Sequence, residues 1–315
     1  MKNRFTSALL ICLGFCLQPG LSFCGDNAYR VALVRSSSNA EYLETCESFR
    51  LALDDSDPQT VVDNYLLPGR GENGDFWSRV RASGPDLIVT VGTPATYSAL
   101  RDSSGIPLVY CMVLDDPAVA VPAGRTVFGL TLRVPFAVQL ESIRAALPTV
   151  RRVGYLRTAG NPDEVRELIE LGDRLGIRLL PALVEDKKDV PGVLREVVDR
   201  IDLLWIPPDK NIYRQDVLNF VLQESFSKRV PVFAVSRQLA VAGAPLAVGC
   251  DYREIGRSTA RLALDYLARG EIPEGGGGCS PVVLFINKPV AAGLGLHIPG
   301  NIINTATMVG NEDRE

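Results

Sequence analysis

One histidine, two tryptophans and three methionines occur among the 315 residues of this chain. The histidine, His297, sits in Leu296-His297-Ile298-Pro299, away from the strand ends where chemistry is usually built. A single imidazole excludes multi-histidine metal centres, and its position argues against a Ser-His-Asp system. The nucleophile signature GxSxG and the phosphate loop GxxxxGK[ST] are missing as well. Gly69-Arg70-Gly71-Glu72-Asn73-Gly74 matches GxGxxG, but it begins after Pro68, and no acidic residue ends a following strand at the required distance, so it reads as a surface turn. Basic runs are absent: 33 Lys and Arg face 37 Asp and Glu, a net charge of −4, so no nucleic-acid partner is expected. Paired carboxylates raise glycoside hydrolysis, but aromatic sugar platforms are scarce, with Trp77, Trp205 and a few tyrosines to supply them. The seven cysteines, Cys12, Cys16, Cys24, Cys46, Cys111, Cys250 and Cys279, show no CxxC and no metal-ligand spacing. One disulfide or buried free thiols fit them equally, and the spacing does not name a pair. Neither a metal nor a cofactor is expected.

What is present is an ordinary globular composition, 46% hydrophobic and 22% charged, on a chain long enough for two domains of about 130 residues each. The first 24 residues read separately, as an export signal. Lys2 and Arg4 form a basic start, residues 8–17 (ALLICLGFCL) an apolar run too short to span a bilayer, and Pro19-Gly20 a break. Leu21-Ser22-Phe23-Cys24 resembles a bacterial lipobox with Cys24 as the acylated residue, although Phe23 stands where a small residue is usual. Ordinary cleavage after Ser22 is the competing route. Both place the mature protein outside the cytoplasm, in the periplasm or on the outer face of the membrane, with membrane contact only through a lipid anchor.

Residues 86–96, DLIVTVGTPAT, organise the rest. The β-branched run is that of a strand buried on both faces, hence of a parallel sheet. Gly92 lets the chain leave the strand in a conformation other residues avoid, and Pro94 suits the first turn of a helix. Such a corner presents backbone N–H groups and a positive dipole end to an anion, with Thr93 and Thr96 adding hydroxyls. A plain turn without a ligand is the alternative.

Strand and helix signals alternate along the mature chain, the mark of an α/β fold. Before Pro148, strands are expected at 29–34, 61–66, 86–91, 106–113 and 127–132, with helices at 40–53, 75–82 and 135–147. The pattern then restarts, with strands at 151–156, 177–181, 202–206, 230–235, 245–248 and 282–285. Helices are expected at 163–175, 190–200, 213–227, 253–269 and 289–294. The tail from 304 to 315 shows no periodicity and is expected to be disordered. Two Rossmann-like lobes with parallel sheets leave a ligand cleft between them, and candidate site residues belong just after strands. Polar positions there are Thr93 to Thr96, Asp115-Asp116, Asp209-Lys210, Ser236 and Asp251-Tyr252. Asp116, Asp209 and Asp251 also suit turn or cap roles, and Lys210 a solvated one.

These fragments, in this order, resemble the substrate-binding proteins of one family of ABC importers, with the periplasmic binding protein type I fold. The matching residues are VGTPAT (91–96), Asp116-Pro117, Gly129, Leu147-Pro148 with Arg152-Val153-Gly154, and Ile206-Pro207-Pro208-Asp209. They continue with Pro231-Val232-Phe233, Gly249 with Asp251-Tyr252, Ile255-Gly256-Arg257 and residues 293–299. The likeness covers nearly all of the mature chain, 29–299. It implies a non-enzymatic receptor that closes two lobes on a small solute and delivers it to an ABC permease. Members of the family are linked to aromatic amino acids or have no known ligand. The resemblance puts a ligand carboxylate at Thr93, Ala95 and Thr96, an amino group at Asp209 or Asp251, and a stacking or hydrogen-bonding role on Tyr252. It implies lobe 1 over 28–133 plus about 252–280, and lobe 2 over 134–251 plus about 281–299, hinged near 132–134, 248–251 and 281. Two departures touch the pocket: Lys210 where the family commonly has Asn, and Ser36-Ser37-Ser38-Asn39 where it often has a charged or aromatic pair. They favour a ligand with an additional anionic group. A sensory module that signals to a membrane receptor would need the same cleft. A transcription regulator of this fold is disfavoured by the export signal.

Overall fold

The computed structural model describes residues 28–69, 75–102, 105–114, 121, 124–209, 211–274, 277–279 and 281–310. The leader with Cys24, and the candidates Asp116 and Lys210, lie outside the described residues.

The first half builds β1 (Arg30–Arg35), α1 (Ala40–Ser56), β2 (Val61–Leu66), α2 (Phe76–Ala82), β3 (Leu87–Val91), α3 (Thr93–Asp102), β4 (Leu108–Val113) and β5 (Val127–Thr131). Among the described residues the strands form a five-stranded sheet of order β2-β1-β3-β4-β5, with every pair parallel. β3, β4 and β5 are buried along their whole length, as an apolar run without alternation demands. β2 is the edge, and its Asp63 pairs with Arg30 of β1 at 2.8 Å.

The second half builds α4 (Phe136–Ala146), β6 (Arg152–Thr158), α5 (Pro162–Arg174), β7 (Arg178–Val184), α6 (Val190–Val197), β8 (Leu203–Ile206), α7 (Gln215–Ser227), β9 (Val232–Val235), α8 (Arg237–Ala242) and β10 (Leu246–Cys250). The long α9 (Tyr252–Arg269) follows, then β11 (Val282–Asn287), α10 (Lys288–Gly293), α11 (Gly300–Ile303) and β12 (Thr307–Val309). The second sheet has the order β12-β11-β10-β9-β8-β6-β7, parallel except for β11 against β10. The α/β architecture expected from the strand–helix alternation is present.

α9 leaves the second sheet and packs back on the first. Its Gly256 faces α1 so closely that a Cβ there would fall 2.8 Å from the Phe49 nitrogen. Thr45 Oγ1 donates to the Tyr252 carbonyl at 3.2 Å, and Arg253 pairs with Glu44 at 2.6 Å. Among the described residues the chain thus passes between the sheets three times, and the crossings run side by side. Leu132 N–H donates to Val113 O (2.6 Å), Thr131 N–H to Gly277 O (2.6 Å) and Cys279 N–H to Arg133 O (3.1 Å). A disulfide joins Cys250, at the end of β10, to Cys279 on the third crossing, with Cα atoms 5.6 Å apart.

The structure corrects two expectations. Residues 307–309 of the tail form β12 beside β11, with Val309 buried, so 304–310 is ordered. A three-residue strand is too short to show a period, and its partner supplies the ladder. α8 was also not expected, because six residues hold less than two turns of amphipathic pattern.

Candidate functional site

Order reverses between β1 and β3 in the first sheet and between β6 and β8 in the second. Open α/β sheets bind ligands at the carboxyl ends of strands at such points. A cleft of about 390 Å³ lies there, lined from the first lobe by Asn39, Glu41, Tyr42, Thr93, Met112, Leu114 and Leu132. Pro208, Tyr213, Val235, Ser236, Gln238, Gly249, Cys250 and Tyr252 complete it.

At the β3–α3 corner, Gly92 has φ +98°, and an added Cβ would meet the Tyr42 ring and come within 2.7 Å of Ser36 Oγ. The tight approach leaves Thr93 half-buried at the cleft. Ala95 and Thr96 are fully buried and do not line it. The Ala95 N–H donates to Ser36 Oγ (2.9 Å), and the Thr96 hydroxyl is shared between Thr90 Oγ1 (2.9 Å) and Gly92 O (3.0 Å). Of the expected carboxylate clamp, Thr93 alone reaches the cleft; Ala95 and Thr96 build the corner.

The two acids expected to take an amino group are likewise engaged in the scaffold. Asp251 caps α9, accepting from Arg253 N–H (2.9 Å) and Glu254 N–H (3.1 Å). Asp209 ties the turn after β8 to the end of β6. It accepts from Thr158 N–H (2.9 Å), Thr158 Oγ1 (2.8 Å), Asn211 N–H (2.9 Å) and Ile212 N–H (3.2 Å). Burial pushes the Asp209 pKa up, but these donors outweigh it and hold the carboxyl below its ordinary value. The reason is general: N–H groups at turns and helix starts must be paired, and the nearest short acid does it.

Ser236 and Tyr252 do reach the cleft. Ser236 Oγ also caps α8 through Leu239 N–H at 3.2 Å. Tyr252 opens α9, and its hydroxyl meets Gln238 of the other lobe: Gln238 Nε2 is 2.9 Å from Tyr252 Oη and 2.9 Å from Glu41 Oε1. Tyr213 donates to Ile206 O (3.1 Å) and Val235 O (3.4 Å), pinning the ends of β8 and β9. Burial raises the phenol pKa of Tyr42, Tyr213 and Tyr252, so each serves as a neutral hydroxyl.

Glu41, Tyr42, Met112 and Gln238 carry no motif in the sequence. Glu41 and Tyr42 lie two and three residues past Asn39, and their place soon after β1 was the available signal. Met112 has φ +55°, and its Sδ lies 3.0 Å from Thr45 Oγ1, a geometry no local pattern announces. His297 is exposed and does not line the cleft. Among the described residues no cluster of three or more His, Cys, Asp or Glu is placed to hold a metal, and no helix is long and apolar enough to cross a membrane.

Two parallel-sheet lobes, three adjacent crossings and a cleft at the strand ends make up the fold of the type I periplasmic binding proteins. The profile of the family described as ABC transporter substrate binding protein matches residues 73–310, and the chain belongs to that family of binding proteins rather than enzymes. A ligand-free, open substrate binding protein with adhesive properties from Clostridium difficile is similar to it. That match has a TM-score of 0.74 and 18% identity over 90% of this chain and 99% of that one. An ABC domain from Streptococcus pneumoniae in complex with L-Trp matches with a TM-score of 0.62 and 20% identity, over 90% of this chain and all of that one. An uncharacterized protein of Rickettsia prowazekii is 23% identical over 193 residues, and the match spans 60% of each chain.

Proposed function

We propose that this chain is the extracytoplasmic receptor of an ABC importer, capturing a small polar solute, an amino acid or related carboxylate, by closing its lobes. One observation carries the reading. The cleft of about 390 Å³ draws its lining from both lobes at the carboxyl ends of strands, with few polar groups on a largely apolar, tyrosine-bearing wall. That is the volume and character of a small-molecule site. Thr93, at the start of α3, and Ser236, at the start of α8, both line it, and their hydroxyls suit a carboxylate oxygen. The similarity to a protein that holds L-Trp supports an amino acid.

Closure turns on the three crossings near 132–134, 248–251 and 281, with 28–133 and α9 moving as one lobe and the rest as the other. The solute then passes to a permease in the membrane. Export rests on residues 1–24, and tethering on acylation of Cys24.

Residues 25–315, unfolded and refolded to remove carried ligand, would be melted against amino acids, organic acids, purines, small peptides and sugars. A solute held by the folded state raises stability by about 2.7 kcal/mol at a hundredfold excess over Kd. A rise with amino acids or their carboxylate relatives supports the reading; a rise with sugars alone removes the solute class; no rise with any class removes the receptor.

A further inference from the structure

Glu41 stands in the first turn of α1 and Tyr252 in the first turn of α9, both on the first lobe. Their oxygens converge on one nitrogen, Nε2 of Gln238, at 2.9 Å each, and Gln238 comes from α8 on the second lobe. A carboxylate only accepts hydrogen bonds, so the amide must turn its N–H₂ end toward Glu41. Its Oε1 then lies 3.2 Å from the Tyr252 hydroxyl. Two acceptors fixed at the starts of two packed helices, meeting at one donor nitrogen inside a ligand-sized cleft, describe the receiving half of an ammonium site.

Resting on the receptor reading above, we propose that Glu41 and Tyr252 bind a primary ammonium group of the solute, and that the Gln238 amide is a built-in stand-in which that group displaces. The chemistry favours the exchange. An ammonium carries three donors and a full charge, against two donors and no charge for the amide. Hydrogen bonds between charged partners are about twice as strong as neutral ones. Gln238 is exposed, on a six-residue helix, and is free to swing out once displaced. No lysine or arginine is among the described residues lining the cleft, and Glu41 is the one acid there. Arg237 places a positive charge near the Tyr252 phenol, which opposes a cation there, so the attraction for an ammonium comes from Glu41. The assignment departs from the expectation that Asp209 or Asp251 would take the amino group, since both are engaged by backbone donors.

The test is calorimetric titration of refolded wild type, E41Q and Q238A. The probes are L-phenylalanine, L-leucine and L-glutamine, each beside the acid lacking only the ammonium (3-phenylpropionate, 4-methylpentanoate and glutaramate), with D-ribose as a neutral solute. We expect at least one amino acid to bind a hundredfold or more tighter than its partner acid. E41Q should weaken that amino acid at least tenfold, with its solute-free melting midpoint within 2 °C of wild type, a tolerance of roughly the shift expected for a fraction of a kcal/mol. Q238A, which removes the competitor, should tighten it about threefold. Equal affinity for the des-amino acid, an unchanged Kd in E41Q, or weaker binding in Q238A overturns the assignment and leaves the receptor standing. Binding of ribose without any amino acid does the same. No binding of any probe overturns the assignment, and the receptor itself falls only if the wider panel above also gives no rise.

Discussion

Gln238 and Glu41 are separated by 197 residues in the chain and by 2.9 Å across the cleft. The contact joins the first turn of α1 to α8, and so couples the two lobes. Its strength is measurable without any ligand. A double-mutant cycle with E41A, Q238A and the pair, read by urea unfolding, should give a coupling of about 0.5–1.5 kcal/mol. A coupling below the error of such cycles, about 0.3 kcal/mol, would mean that the lobes are not held by this bond.

The β3–α3 corner depends on a residue without a side chain. Gly92 has φ +98°, and a methyl there would run into the Tyr42 ring and Ser36. G92A combines backbone strain with overpacking, each worth about 1–3 kcal/mol, and should lower the unfolding free energy by about 2–5 kcal/mol. Denaturant titration measures this. A loss under 1 kcal/mol would show that the corner relaxes freely.

The Cys250–Cys279 bond closes a loop across two of the three crossings. In the chain-entropy account a loop of this size is worth about 3–4 kcal/mol. The C250S/C279S variant should unfold at correspondingly lower denaturant, and reduced wild type should match it. If the three proteins unfold together, the bond does not stabilise the fold.

Asp209 gives a pH signature. Its folded-state pKa is depressed, so its contribution is present above the unfolded aspartate value near 3.9 and is lost as pH falls through the folded value. D209N cannot accept through both oxygens, so a half-buried donor goes unmatched and about 1 kcal/mol is lost at pH 7. The wild type should approach the variant as pH drops below about 4. Parallel stability curves from pH 7 to pH 3 would contradict this.

The thiols of Cys46 and Cys111 are buried and free, and burial pushes their pKa to about 11 and about 12. Thiolate is therefore scarce at pH 8, and it is the thiolate that reacts. In residues 25–315 a disulfide-exchange reagent should find neither thiol in the native protein and both after unfolding. Rapid native labelling of either would show that the α1 face opens.

Local pattern was enough for the longer elements, though not for the short α8, α11 and β12. The uninterrupted apolar runs of β3 and β4 and the amphipathic stripe of α9, with Ile255, Ala260, Leu262 and Ala263 buried, state their environment in their spacing. The strand–helix alternation then implies parallel sheets, because parallel neighbours need a crossover. The same pattern places polar residues after strands, and so brought Thr93, Ser236 and Tyr252 into view. Tertiary structure decided which of those residues face the cleft. Ala95, Thr96, Asp209 and Asp251 sit at equally suggestive positions, but nearby backbone N–H groups or buried hydroxyls engage them. Only the return of α9 onto α1 decides that Glu41 and Tyr252 stand together, and only the approach of the lobes brings Gln238 to both. Period and propensity are local quantities summed over a few residues. A hydrogen bond between residues 197 apart depends on where every intervening element packs.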